Sequence, residues 1–510
     1  MCGIAALWGE SDPETVRAIL DKLPHRGPDG DGVHVTPAAG AVGPSTLGHA
    51  RLAIIDPAGG RQPLVADAAA GAPALVCNGM IYNDLELRRR LPGAAFRTGS
   101  DSESVLRGFQ AWGDRIVEQL DGMFAFVLID DAGHLVAARD PLGIKPLYMG
   151  RIGGRLAFAS EIKALADVAE AIEEFPAGHI YDSRTGFRRY YQVPAPYSVV
   201  RGEADTLQAI RDTFGRAIEK RLRSDVPWGA FLSGGLDSSI VAALAKRNVD
   251  ELHTFAVGLA GSSDLAAARR VAEHLGTTHH ELVIDRDDVV AVLPQVLHHL
   301  ESYDRDLVRS AVPTYFVAQL AAQHVKVVLT GEGADELFAG YAYYADYDDP
   351  AALQAELRRS LQAMHNVNLQ RVDRMIMAHG LEARVPFLDT AMVELAMSVP
   401  AELKQRPEAG CDGEKWVLRK AFEGWLPPDI VWRGKLQFDE GSGFSDYLAD
   451  HAARELDAGR IAPDRKARDP EEALYRALLA DTFADPDLVL GLTAHWRADG
   501  DDAPPARAAG

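Results

Sequence analysis

Cys2 stands directly behind the initiator methionine, in Met1-Cys2-Gly3-Ile4-Ala5. The small side chain favours removal of Met1, which would leave a thiol and a free α-amine on one residue. An α-amine titrates at about pH 8 and can act as the base for its own side-chain nucleophile. A lone cysteine is more often a small buried apolar residue, so this reading depends on what the rest of the chain supplies.

A second constellation is Phe231-Leu232-Ser233-Gly234-Gly235-Leu236-Asp237-Ser238-Ser239. Two glycines let the backbone turn tightly and approach a ligand. The hydroxyls of Ser233, Ser238 and Ser239 and the free N–H groups of a following helix suit an anion. Asp237 would repel that anion unless a divalent cation lay between them. No lysine follows the glycines, so this is not the Gly-Lys-Ser loop of nucleotide hydrolases. Thr330-Gly331-Glu332-Gly333-Ala334-Asp335-Glu336 forms a second acidic loop. Three acids beside a phosphate loop point to Mg²⁺ ligation and proton transfer. Lys435 and Arg384 are the basic residues placed to meet developing negative charge.

The elements that must position these groups change character along the chain. Before residue 193, short β-type runs dominate: 74–77, 124–129 and 155–159, with one helix after Ser11-Asp12-Pro13. This half reads as stacked, mixed-direction sheets over residues 1–192. Residues 193–204 hold two prolines and little periodicity, which marks a linker. Beyond it, helices at about 205–223 and 237–247 alternate with strands at about 228–232, 253–257 and 326–329. Alternation of this kind predicts a parallel sheet with helices on both faces. Both acidic or glycine-rich loops then follow strands, so they belong on one sheet edge. Residues 351–430 read as mostly helical, the second domain runs over 205–497, and 498–510 form a disordered tail.

At 510 residues the chain exceeds what one core can organise. Lys and Arg number 53 against 74 Asp and Glu, a net charge of −21 that opposes nucleic-acid binding. Cys2, Cys77 and Cys411 are too few and scattered for a disulfide framework or a zinc site, which points to a reducing cytoplasm. No apolar run is long enough for a bilayer, so no membrane partner is expected.

Together the motifs resemble the glutamine-dependent asparagine synthetases, from Cys2 to about residue 450. In the first half the resemblance rests on Cys2-Gly3-Ile4, His25-Arg26-Gly27-Pro28-Asp29-Gly30, Gly48-His49-Ala50-Arg51-Leu52, Asn78-Gly79, Ser100-Asp101 and 139–148. In the second it rests on 233–239, 331–336, 379–389 and 435–438. It implies an α+β sandwich of two antiparallel sheets, the N-terminal-nucleophile glutaminase fold. An α/β parallel-sheet ATP-pyrophosphatase domain with a helical C-terminal part would follow.

The resemblance also implies roles. Cys2 attacks the glutamine side-chain amide, and Asn78 with the Gly79 N–H forms an oxyanion hole. Arg51 pairs the glutamine α-carboxylate and Asp101 its α-ammonium. Ammonia passes through an internal tunnel. Leu232 and Val257 border the adenine. Ser233, Gly234, Gly235, Ser238, Ser239, Thr330 and Gly331 hold ATP and pyrophosphate, and Lys435 neutralises phosphate charge. Asp237 and Asp335 hold Mg²⁺, and Glu332 deprotonates the attacking ammonia. The partners are small molecules (glutamine, ATP, and aspartate or another carboxylic acid), with a homodimer as the assembly expected of the chain. The chain departs from the family at Met80, where a Glu is usual, at Ala50 before Arg51, and at 303–310, where acceptor contacts lie. These changes touch the donor and the acceptor and leave the mechanism alone. The alternative acceptor is a different carboxylate in a specialised pathway.

Overall fold

The computed structural model describes residues 1–67, 71–197, 202–406, 413–435 and 445–496. Part of the linker (198–201), Cys411, 436–438 and the tail 498–510 lie outside the described residues.

Two six-stranded sheets occupy the first half. One runs Ile172–Glu174, Tyr148–Ile152, Arg155–Ala159, Gly3–Leu7, Ser45–Ala50, Asp31–Thr36; every pairing is antiparallel. The other runs Gly186–Arg189, His179–Asp182, Leu135–Arg139, Gly122–Ile129, Ala74–Ile81, Leu64–Val65, again antiparallel throughout. Alternate residues of the facing strands form one core: Ile4, Ala6, Leu47 and Phe158 from the first sheet meet Val76, Ala125, Val127 and Ala137 from the second. The opposite face of the second sheet carries Leu75, Cys77 and Ile81 into another cluster with Val105 and Leu106 of the helix Glu103–Trp112. The period of two therefore buries both faces of Ala74–Ile81.

The helix expected after Ser11 runs Pro13–Leu20, with Asp12 accepting from the Thr15 N–H at 2.9 Å. The helix Glu203–Arg221 begins within the stretch read as linker. After it comes a five-stranded, wholly parallel sheet in the order Thr278–Ile284, His253–Leu259, Trp228–Phe231, Val327–Leu329, Glu382–Arg384. Chain order runs outward from Trp228–Phe231 to one side, then returns to its other flank at Val327–Leu329. The sheet's switch point thus lies between these two strands, where ligand crevices form in such sheets. Glu382–Arg384 is a strand inside a segment read as helical.

The halves are joined by buried ions. Arg26 Nη1 lies 2.6 Å from Glu161 and 2.8 Å from Asp373, while Arg374 reaches Glu161 at 2.8 Å and Glu301 at 3.0 Å. All these side chains are at most 2% exposed. Removing one partner from such a group costs about 3–5 kcal/mol, because the other charge stays buried.

Candidate active sites

Cys2 immediately precedes Gly3–Leu7, an inner strand of the first sheet, and is nearly sealed from solvent. With Met1 in place its nitrogen is an amide, and donates to Asn78 Oδ1 at 2.9 Å. The free amine expected from the sequence exists only once Met1 is gone. The Met1 ammonium meanwhile pairs with Glu382 at 3.2 Å. Burial pushes the Cys2 thiol up, and that ammonium opposes the rise.

Asn78 has its carboxamide oxygen engaged by Cys2 and its Nδ2 buried with no hydrogen-bond partner. An unmade buried hydrogen bond costs about 1–3 kcal/mol, so an orphan donor on a side chain bonded to the Cys2 backbone suits an anionic oxygen. Gly79 follows because the strands close tightly there: a Cβ would fall 2.2 Å from the Met123 carbonyl oxygen. Met80 alternates onto the face of Asn78 and is 1% exposed. Arg51 donates to the carbonyls of Asp56 and Pro57 at 2.7 and 2.8 Å. Asp101 accepts from the Ile81 N–H at 2.8 Å. Burial raises Asp101 to about 6 despite that bond.

The second site is a cavity of about 560 Å³ at the switch point. Leu232, Ser233, Gly235, Asp237, Ser238, Val257, Thr330, Gly331, Glu332, Asp335 and Lys435 all line it. Gly234 and Ser239 support the loop from behind. Gly234 has φ +74°, and a Cβ there would meet Ala267 at 2.5 Å; Ser239 Oγ donates to the Gly235 carbonyl at 2.7 Å. The helix Leu236–Lys246 starts on this loop. A Cβ on Gly331 would approach Asp237 Cβ to 2.9 Å, so the two acidic loops touch. The Thr330 hydroxyl is buried there without a partner.

Charge in this cavity is internally compensated. Lys415, which sequence reasoning missed, places its Nζ 2.6 Å from Asp237 and 2.5 Å from Asp335. Lys435 reaches Asp335 at 2.9 Å. Burial works against the Asp335 charge, but the two ammonium groups outweigh it and hold the carboxyl well below its usual range. Glu332 pairs with Arg371 at 2.6 Å; burial still raises its carboxyl. Glu336 lies behind, bonded to Tyr341 and Asn368, and burial beside Asp335 and Glu332 pushes it up to about 8. Arg384 is not part of this site. It is fully buried against Glu382 and the carbonyls of Arg221 and Arg223, where it ties strand to helix.

The signal for Lys415 was absent locally. It sits at φ +54° just before the helix Trp416–Ala421, in Asp412-Gly413-Glu414-Lys415-Trp416, a stretch that, among the described residues, does not follow a strand as the two loops do.

Residues 1–199 match the family model of a glutamine amidotransferase domain, and 209–351 with 345–499 match that of asparagine synthase. The chain is 40% identical over 515 residues to a glutamine-hydrolyzing asparagine synthetase of Triphysaria versicolor, covering 95% of this chain and 86% of that one. It is 40% identical over 515 residues to asparagine synthetase 3 of Arabidopsis thaliana, covering 95% and 88%. To the enzyme of Asparagus officinalis it is 41% identical over 517 residues, covering 95% and 86%. With both halves matched and this identity held along nearly its whole length, the chain belongs to the glutamine-hydrolysing asparagine synthetase family.

Proposed function

We propose that this protein makes asparagine from aspartate, using ATP and ammonia cut from glutamine. The observation that carries the proposal is that one chain sets an orphan carboxamide donor beside a cysteine, and elsewhere joins two acidic loops around one cavity. We assign residues 1–192 to the glutaminase and 205–497 to the synthetase.

In the first site Cys2 Sγ attacks the side-chain carbonyl carbon of glutamine. The carbonyl oxygen becomes an oxyanion that Asn78 Nδ2 and the Gly79 N–H receive. Ammonia leaves, and water hydrolyses the thioester to glutamate. Arg51 and Asp101 hold the ends of the amino acid. Ammonia then crosses the interior to the second site.

There a carboxylate oxygen of aspartate attacks the α-phosphorus of ATP, and pyrophosphate leaves along the Ser233–Ser239 loop. Leu232 and Val257 border the adenine, while Lys435 meets phosphate charge. Glu332 takes a proton from ammonia as its nitrogen attacks the acyl carbon, and AMP departs. Asp237 and Asp335 fit a divalent cation. Both carboxylates converge on one ammonium group, that of Lys415, and Asp237 Oδ1 is buried without a partner. Mg²⁺ held there supplies positive charge to the polyphosphate.

The test supplies the enzyme with glutamine, ATP and Mg²⁺ and offers a panel of carboxylic acids, reading amide and pyrophosphate together. Asparagine formed from aspartate with matching pyrophosphate is expected. Amidation of another acid but not aspartate would replace the acceptor, and no pyrophosphate with any acid would overturn the reaction.

A further inference from the structure

The cavity walls divide by origin. Ser233, Gly235–Ser238, Phe255 and Val257 come from the strands and the loop assigned above to the nucleotide. Asp304, Asp306, Leu307 and Ser310 come from the start of the helix Arg305–Ala321, and Tyr341–Tyr343 from the turn after the second acidic loop. Trp496 joins this latter group although it lies about 150 residues further along the chain.

Two adjacent residues fasten that remote segment. His495 Nδ1 lies 2.7 Å from Asp304 Oδ2. Asp304 is 1% exposed and caps the helix by accepting from the Leu307 N–H at 2.9 Å. Trp496 donates its indole N–H to the Tyr343 hydroxyl at 3.2 Å and stands edge-on to Tyr341, with ring centroids 5.6 Å apart. Its carbonyl accepts from Arg359 at 3.3 Å. The segment therefore bridges the two elements that bound the cavity away from the phosphate loop. The indole thus lines the cavity beside Tyr341 and Tyr343, with the small Ala342 between the two tyrosines.

We propose that Trp496, anchored through its neighbour His495, forms the far wall of the acceptor subsite, and that its indole limits the length of the acid amidated. Resting on the synthetase reading above, the proposal adds the element that sets acceptor choice. His495 acts through Asp304 and is a positioning residue, whereas the indole faces the acceptor. A hydrophobic wall discriminates one methylene by about 10-fold or more, so aspartate and glutamate, which differ by one methylene, are suitable probes.

The experiment measures ammonia-dependent kcat/KM for aspartate and for glutamate in the wild type, Trp496→Ala, Trp496→Phe and His495→Gln. Glutaminase activity and the KM for ATP are followed alongside. Trp496→Ala should lower the aspartate-to-glutamate ratio about 10-fold and raise the KM for aspartate, with the KM for ATP unchanged. Trp496→Phe should restore most of the ratio, and His495→Gln should fall between. If Trp496→Ala does not fold, Trp496→Leu, which also draws back the wall, carries the same comparison. An unchanged ratio, or KM values for ATP and acceptor that rise together, would overturn the proposal. A wild type that amidates some other acid sinks the aspartate reading alone; the same variants are then compared on that acid and its one-carbon-longer homologue. A wild type that amidates nothing overturns both.

Discussion

Around Cys2 a buried donor waits with no acceptor, whereas Asp237 and Asp335 are already paired with the ammonium groups of Lys415 and Lys435. The contrast follows from what each site must receive. In the proposed mechanism glutamine's side chain enters neutral and becomes anionic only as the thiol attacks, so a donor without a ground-state partner would act selectively on the transition state. ATP arrives already highly charged. A cavity of bare lysines would bind it and then be costly to empty of charge when free, and one of bare carboxylates would repel it. Lys415 and Lys435 compensate the acids in the empty cavity, and in the proposed mechanism they would do so until a nucleotide comes. Desolvation thus acts on different groups: beside Cys2 it leaves a neutral donor unpaired, whereas in the second site it is offset by ion pairs around the carboxylates, with the Thr330 hydroxyl and single carboxylate oxygens left without a hydrogen bond.

If the sites are this separate, single substitutions should silence one and spare the other. Cys2→Ala should reduce glutamine-dependent synthesis by about 10⁶-fold, the scale of losing a nucleophile, and leave ammonia-dependent synthesis intact. Rates measured with each nitrogen source decide it; equal loss of both would mean that Cys2 also organises the second site. At the other end Glu332→Gln should lower amide formation by about 10²–10⁴-fold yet still exchange pyrophosphate with ATP when the acceptor is present. Loss of exchange as well would make Glu332 a binding residue.

Asp237→Asn sharpens the comparison differently. It keeps the shape, removes a charge that Lys415 compensates, and leaves that ammonium with Asp335 alone. Synthesis should fall about 10²–10³-fold with either nitrogen donor, while glutamine hydrolysis persists. Normal pyrophosphate release by this variant would exclude a charge role for Asp237.

The sequence made the local parts of this arrangement legible. Strand-loop-helix punctuation at Phe231–Ser239 and Leu329–Glu336 was enough to place both loops on one edge, because parallel strands must end at the same side. Parts that depend on distant contacts were not legible. Lys415 meets Asp237 across 178 positions, and Arg26 meets Asp373 across 347. Arg26 lies in a motif quoted for the glutaminase half, yet its guanidinium clamps that half to the other. Arg384 looked like a phosphate ligand by type and is a buried tie. The three-residue strand Glu382–Arg384 has no readable alternation and forms by pairing along the flank of Val327–Leu329. Trp496 had no motif at all.

The smallest effect concerns pH at the thiol end. Asp101 is buried, and desolvation raises its carboxyl to about 6. If it holds the glutamine α-ammonium, it must be ionised to do so, and kcat/KM reports the titration of the free enzyme. Glutamine-dependent kcat/KM should therefore fall as pH drops through 6, by about tenfold at one unit below. Ammonia-dependent synthesis at matched free ammonia should lack this step. Acid unfolding cannot produce the same signature through Asp101. Its folded pKa lies above the unfolded value, so the native state binds the extra proton between about pH 4 and 6 and gains stability there as pH falls. In Asp101→Asn the step near pH 6 should vanish, with kcat/KM at pH 8 lowered toward the acid-side level of the wild type. A wild-type profile flat from pH 5 to 7, or a step that survives in Asp101→Asn, would remove Asp101 from glutamine recognition and leave Arg51 as its charged anchor.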